Sequence, residues 1–183
     1  MIAARLRPFG TTIFAEMSAL ALRTGAINLG QGFPDTDGPA EIVDAVTAAM
    51  RAGANQYAPL PGVPQLCAAF AEHQRRRYGL DVDPDLGVQV TFGATEAIAA
   101  TMLGLLEPGD EVVVLEPFYD SYAATIAMAG ATRRLVTLRP PDFALDVDEL
   151  TAAAAGGRVR MLLLNSPHNP TGRVLTRAEL EAV

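Results

Sequence analysis

Three stretches of this 183-residue chain combine residue types that could do chemistry: Gly93-Ala94-Thr95-Glu96-Ala97, Glu116-Pro117-Phe118-Tyr119-Asp120-Ser121-Tyr122 and Asn165-Ser166-Pro167-His168-Asn169-Pro170-Thr171-Gly172. In the first, Gly93 lets the chain turn sharply into a helix start. First-turn amides have no carbonyl partner within a helix, so those of Ala94 and Thr95 suit an anion such as a phosphate. The helix dipole adds roughly 0.3–1 kcal/mol per charge. The Thr95 hydroxyl can add a donor, and the same Gly and Thr also serve as a plain cap. In the second stretch the aromatics, Phe118 foremost, could stack on a flat ring or pack against a sheet edge. In the third, two asparagines, two prolines and a glycine make a stiff loop. It can aim one amide donor, on Asn169, at a ligand oxygen, or serve only as a turn.

Other chemistries lack their residues. All 14 basic residues are arginines, Arg5 to Arg177, so lysine is absent. That removes a phosphate-binding loop ending in Gly-Lys-Ser/Thr and any lysine Schiff base within the chain. The two histidines, His73 and His168, have no partner spacing for a metal site, and none is expected. Ser18, Ser121 and Ser166 lack a Gly-x-Ser-x-Gly elbow. His168 reads as a packing residue of its loop rather than a base. Net charge is −7, and the one arginine cluster, Arg75-Arg76-Arg77, ends a predicted helix. No basic face for nucleic acid is expected. Cys67 is the only cysteine, which excludes an internal disulfide. No apolar run reaches membrane-spanning length and the start lacks an apolar signal core, so a cytoplasmic protein without membrane contact is expected.

The elements that would position these loops follow from period and punctuation. Pro39 opens a helix with Ile42, Val43, Val46, Ala49 and Met50 on one face, closed by Gly53. A second helix runs from Pro64 to Tyr78, burying Leu66 and Phe70, with Gly79 as its stop. Val88–Phe92, Val112–Leu115, Arg134–Leu138 and Val159–Leu164 read as strands, alternating with helices after Gly93, from Tyr119 and from Val147. Thr176-Arg177-Ala178-Glu179 has the spacing of a capping box. Short apolar strands alternating with helices predict an α/β fold, a mostly parallel sheet flanked by helices. The three loops then follow carboxyl ends of strands, where open α/β sheets bind ligands. The sequence stops at Val183 inside a helix just begun, and a fragment is expected.

Together with Asn28-Leu29-Gly30-Gln31-Gly32-Phe33-Pro34-Asp35 and Asn55-Gln56-Tyr57, the three loops resemble, in order and spacing, the class I (fold-type-I) aminotransferases that use pyridoxal 5'-phosphate. The likeness is to the branch with kynurenine, methionine and N-succinyldiaminopimelate aminotransferases, and to its N-terminal portion only. It implies residues 1–38 as an N-terminal arm and small-domain segment, and 39–183 as the first, incomplete part of the large cofactor-binding domain. It implies that Gly93, Ala94 and Thr95 hold the cofactor phosphate, Phe118 stacks on the ring, and Asn169 donates to the ring oxygen near the substrate. Tyr57 would reach the phosphate of a partner subunit in a homodimer, and Gly32 would lie over the substrate carboxylate. The implied reaction moves an amino group between an amino acid and a 2-oxo acid. The family's catalytic lysine, pyridine-nitrogen acid and carboxylate-binding arginine all follow the Asn-Pro-Thr-Gly loop, so no catalytic residue and no activity are expected in this chain alone. A carbon–sulfur lyase or decarboxylase on the same scaffold, and a non-catalytic binding module, stay open as alternatives.

Overall fold

The computed structural model describes residues 2–32, 34 and 36–183. They form two compact units: the residues up to Thr12 together with Gly93–Val183, and Ile13–Phe92.

The first unit is built on a parallel sheet of β1 (Glu111–Glu116), β2 (Thr132–Thr137) and β3 (Val159–Leu163), in the order β2-β1-β3. Val113 of the central strand registers with Arg134 on one side and Leu162 on the other. The apolar run of β1 is what a strand covered on both faces requires. Val112 and Val114 pack with Met102 and Leu106 of α4 (Gly93–Leu105 and its following residue) and with Tyr122 and Ile126 of α5 (Ser121–Met128). Val113 and Leu115 face the other way, onto Val136, Leu138, Leu145, Leu175 and Leu150 of α6 (Val147–Ala154). One strand thus seeds both cores. A final short helix, α7 (Arg177–Glu181), opens with the expected capping box: Thr176 Oγ1 accepts from the Glu179 amide while Glu179 accepts from the Thr176 amide.

The second unit contains α1 (Ile13–Thr24), α2 (Ala40–Arg51) and α3 (Pro64–Tyr78). The α1 helix was not anticipated from the sequence. Pro39 stands at the N-cap of α2 rather than at its first helical position, and Gly79 closes α3 in the left-handed conformation. One burial expectation fails here: α3 buries Cys67 and Ala71 rather than Leu66 and Phe70. The apolar face of α2 is open, with Ile42, Val43, Val46 and Met50 all exposed.

One predicted strand is also corrected. Val88–Phe92 joins no ladder among the described residues; the Val90 amide donates to the Pro61 carbonyl at 2.8 Å. Alternating Val, Thr and Phe favour extended backbone, but a strand exists only where a partner supplies hydrogen bonds.

Candidate functional site

Because β1 and β3 are parallel neighbours, the loops that follow them leave the same edge of the sheet. Residues Ala97, Ile98, Thr101 and Met102 of α4 share a cleft of about 290 Å³ with Met161–Leu164 at the β3 side of the sheet. At the helix start Gly93 has φ +83°, a value that strains any residue with a Cβ, and open space surrounds it. Ala94 and Thr95 are exposed in the first turn, where amides have no intrahelical acceptor.

The loop after β1 is more committed than its sequence suggested. Phe118 packs against the α4–α5 core, and the Arg133 guanidinium covers its ring at 5.5 Å from the centroid. Tyr119 stands edge-on to Tyr122, with ring centroids 5.8 Å apart. Burial first, and then the neighbouring Tyr119, hold the Tyr122 phenol above its ordinary pKa. Ser121 Oγ is buried without a hydrogen-bond partner. A buried hydroxyl left unsatisfied costs about 1–3 kcal/mol, so a ligand or water is the usual explanation.

The loop after β3 is tied at several points. The Leu175 amide donates to Ser166 Oγ at 3.0 Å, the His168 amide to the Arg173 carbonyl at 2.7 Å, and the Gly172 amide to the His168 carbonyl at 2.7 Å. The His168 ring is 4 % exposed, with Nδ1 2.9 Å from Thr171 Oγ1 and the Leu115 carbonyl as its backbone partner. Burial lowers its pKa from the ordinary imidazole value, opposed in part by that carbonyl. His168 is therefore a packed residue of the loop, as expected. Asn169 is exposed, and its carboxamide makes no hydrogen bond among the described residues.

Glu179 braces the same loop from beneath. It accepts from the Thr176 amide at 2.6 Å, the Leu145 amide at 3.0 Å, Thr176 Oγ1 at 2.8 Å and Arg173 Nη2 at 3.0 Å. The two backbone bonds lead the causes that hold its carboxyl down at about 2.

The structure therefore sets Gly93, Ala94, Thr95, Phe118 and Asn169 within one unit, with Phe118 and Asn169 in loops that follow the adjacent strands β1 and β3. Tyr57 and Gly32 belong to the other unit; both are exposed, Tyr57 fully so. Phe33 and Asp35 of the Asn28–Asp35 motif lie outside the described residues. Sequence reasoning missed the unpartnered Ser121 hydroxyl, the arginine over Phe118 and the anchoring of His168. Each depends on contacts between distant segments, and no local spacing signals them. Among the described residues no cluster of His, Cys, Asp and Glu could hold a metal ion, and no helix is long and apolar enough to cross a membrane.

Comparison with known proteins adds the family dimension. The model of the family described as aminotransferase class I and II matches residues 24–183. The chain is 57 % identical to a probable N-succinyldiaminopimelate aminotransferase of Mycobacterium tuberculosis, covering 100 % of this chain and 46 % of that protein. It is 45 % identical to a methionine aminotransferase of Escherichia coli, covering 98 % of this chain and 46 % of that one. The solved N-succinyldiaminopimelate aminotransferase of M. tuberculosis superimposes with a TM-score of 0.94 at 56 % identity, over 100 % of this chain and 48 % of that one. The chain thus spans about half the length of the relatives it matches.

Proposed function

Starting from the fact that this chain belongs to the class I and II aminotransferases, we propose that the whole protein is a pyridoxal-phosphate-dependent aminotransferase and that these residues seat its cofactor. The family is in general pyridoxal-phosphate-dependent, and the fold matches the N-terminal part of fold-type-I aminotransferases. The residues fit the group. First-turn amides of α4, an uncommitted carboxamide in the loop after β3 and a buried hydroxyl in the segment after β1 all belong to one compact unit. That coincidence of unspent donors carries the reading.

In this proposal the Ala94 and Thr95 amides and the Thr95 hydroxyl hold the phosphate, with Gly93 giving the chain its turn. Asn169 donates to the ring oxygen and lies near the substrate. Phe118 stacks on the ring of the cofactor, with the Arg133 guanidinium lying over the Phe118 ring at 5.5 Å from its centroid. Tyr57 reaches the phosphate of a partner subunit in a homodimer, and Gly32 lies over the substrate carboxylate. When bound, pyridoxal phosphate supplies an electron sink that stabilises negative charge on the substrate's α-carbon. Residues 1–38 form an arm and small-domain segment and 39–183 the first part of the large domain, in a cytoplasmic enzyme acting on an amino acid and a 2-oxo acid. The relatives make N-succinyldiaminopimelate the first amino donor to assay, with methionine second.

The chain has no lysine, so it cannot itself hold the cofactor covalently or move the substrate proton with an amine. Borohydride treatment of the 183-residue polypeptide with pyridoxal phosphate is expected to fix no side-chain adduct, read by peptide mapping, which separates a reduced aldimine on the Met1 α-amine from one on a side chain. A transamination rate for that polypeptide above free cofactor would overturn the assignment of catalysis to residues it lacks.

A further inference from the structure

His168 has the most constrained side chain of the site, and nothing in the proposed chemistry uses it. The Leu138 amide takes the Glu116 carbonyl toward β2 at 2.7 Å, so the preceding carbonyl, of Leu115, points toward β3. There the β1–β3 register ends at Val114↔Leu163, one residue short. Leu115 is 2 % exposed, and its carbonyl would be a buried acceptor with no strand to serve it. The buried His168 ring lies against it, and that carbonyl favours a proton on the ring.

A carbonyl only accepts, so the ring nitrogen facing Leu115 bears the proton. With Nδ1 taken by Thr171, that nitrogen is Nε2. Nδ1 then accepts from the Thr171 hydroxyl, whose oxygen in turn accepts from the Arg173 amide at 3.2 Å. Every donor and acceptor in this chain of bonds is used once with the imidazole neutral. The loop after β3 is thereby fastened to the last turn-out of β1, one residue before Asn169.

We propose that His168 is a positioning residue: by clamping the Asn165–Gly172 loop onto the end of β1, it fixes the Asn169 carboxamide for its bond to the cofactor ring oxygen. This rests on the cofactor reading above. It assigns His168 no contact with cofactor or substrate, and its effect passes through Asn169.

The test uses the whole protein that carries this chain, loaded with pyridoxal phosphate, and reads the pH midpoint of the bound cofactor's visible absorbance. Losing a donor to the ring oxygen makes that oxygen more basic, so Asn169→Ala should raise the midpoint by about one unit. His168→Leu, which removes both ring bonds, should raise it in the same direction and weaken cofactor binding by about tenfold. Affinity for inorganic phosphate, measured on the cofactor-free protein, should stay unchanged. His168→Gln, which can still donate to the Leu115 carbonyl, should recover most of the shift. In His168→Leu/Asn169→Ala the midpoint should match Asn169→Ala alone, since residues acting through one bond are not additive.

An additive double variant would overturn the proposal, as would a wild-type midpoint in His168→Leu. If His168→Leu does not fold, His168→Asn takes its place: it keeps a partner for Thr171 but not for Leu115, and an unshifted midpoint there overturns the proposal equally. An unshifted Asn169→Ala sinks the cofactor reading itself. A shifted Asn169→Ala with unshifted His168 variants sinks only the role of His168.

Discussion

Glu179 shows how one carboxylate can hold a functional loop it never enters. Its bonds to Thr176, Leu145 and Arg173 bind the α7 cap, the segment before α6 and the segment leaving the Asn169 loop. A carboxylate held near 2 in the folded state and in the ordinary range when unfolded binds fewer protons folded than unfolded. Its stabilisation is fully present above the unfolded pKa and is lost as pH falls from there toward about 2. Glu179→Gln should therefore cost about 1.5–3 kcal/mol at neutral pH, the worth of hydrogen bonds to a charged group. The cost should shrink between pH 4.5 and 2. Denaturant midpoints of both proteins at pH 7 and pH 3 check this. Half of this arrangement was legible: Thr176 and Glu179 stand at capping-box spacing, and the helix cap forms as read. The bonds to Leu145 and Arg173 were not, because they join segments that only the folded sheet brings together. His168 divides the same way. Its loop is readable from Asn, Pro and Gly, while its partner Leu115 ends another strand.

At the scale of elements, the edge of the sheet opposite the candidate site is closed by charge. Glu111, 8 % exposed at the start of β1, accepts from Arg134 Nε of β2 at 2.8 Å and from Arg158 Nη2, just before β3, at 3.3 Å. One carboxylate so ties the amino ends of all three strands. Arg158 is largely exposed, which discounts its share. Glu111→Ala should destabilise by about 1–2 kcal/mol, mostly by leaving Arg134 only the Ala153 carbonyl in place of its carboxylate, and thermal melting should show it. Cofactor affinity should be unmoved, because the tie lies across the sheet from the donors. α4 gives the contrary case. Gly93→Ala meets no steric neighbour, so its cost is backbone strain of about 1 kcal/mol, and with the first turn displaced the phosphate should bind more weakly. Equilibrium dialysis with inorganic phosphate reads that effect. The elements themselves were legible from period and punctuation wherever both partners lie within the first unit. Val88–Phe92 has the composition of a strand but no ladder, since propensity describes one chain segment and a strand is a relation between two.

For the whole molecule, the division of exposed apolar surface is the property from which most follows. The first unit buries Val112, Val113, Val114, Ile126, Val136 and Leu138 almost completely. In the other unit Leu29, Leu60, Leu86 and Phe92 are each about nine-tenths exposed or more, and α2 buries nothing. The helical spacing of the apolar residues on α2 was legible and the helix forms; what that spacing could not say is whether anything covers the face. Exposed apolar surface of this extent favours association in water. The 183-residue polypeptide made alone should therefore run as broad, concentration-dependent species in size-exclusion chromatography and bind a hydrophobic dye. Its melting should be weakly cooperative, led by the second unit. The whole enzyme proposed here should do neither. A monodisperse polypeptide with one sharp transition would mean that this surface is covered within the 183 residues themselves. The reading as a self-sufficient, non-catalytic binding module would then displace that of a cofactor seat awaiting its catalytic lysine.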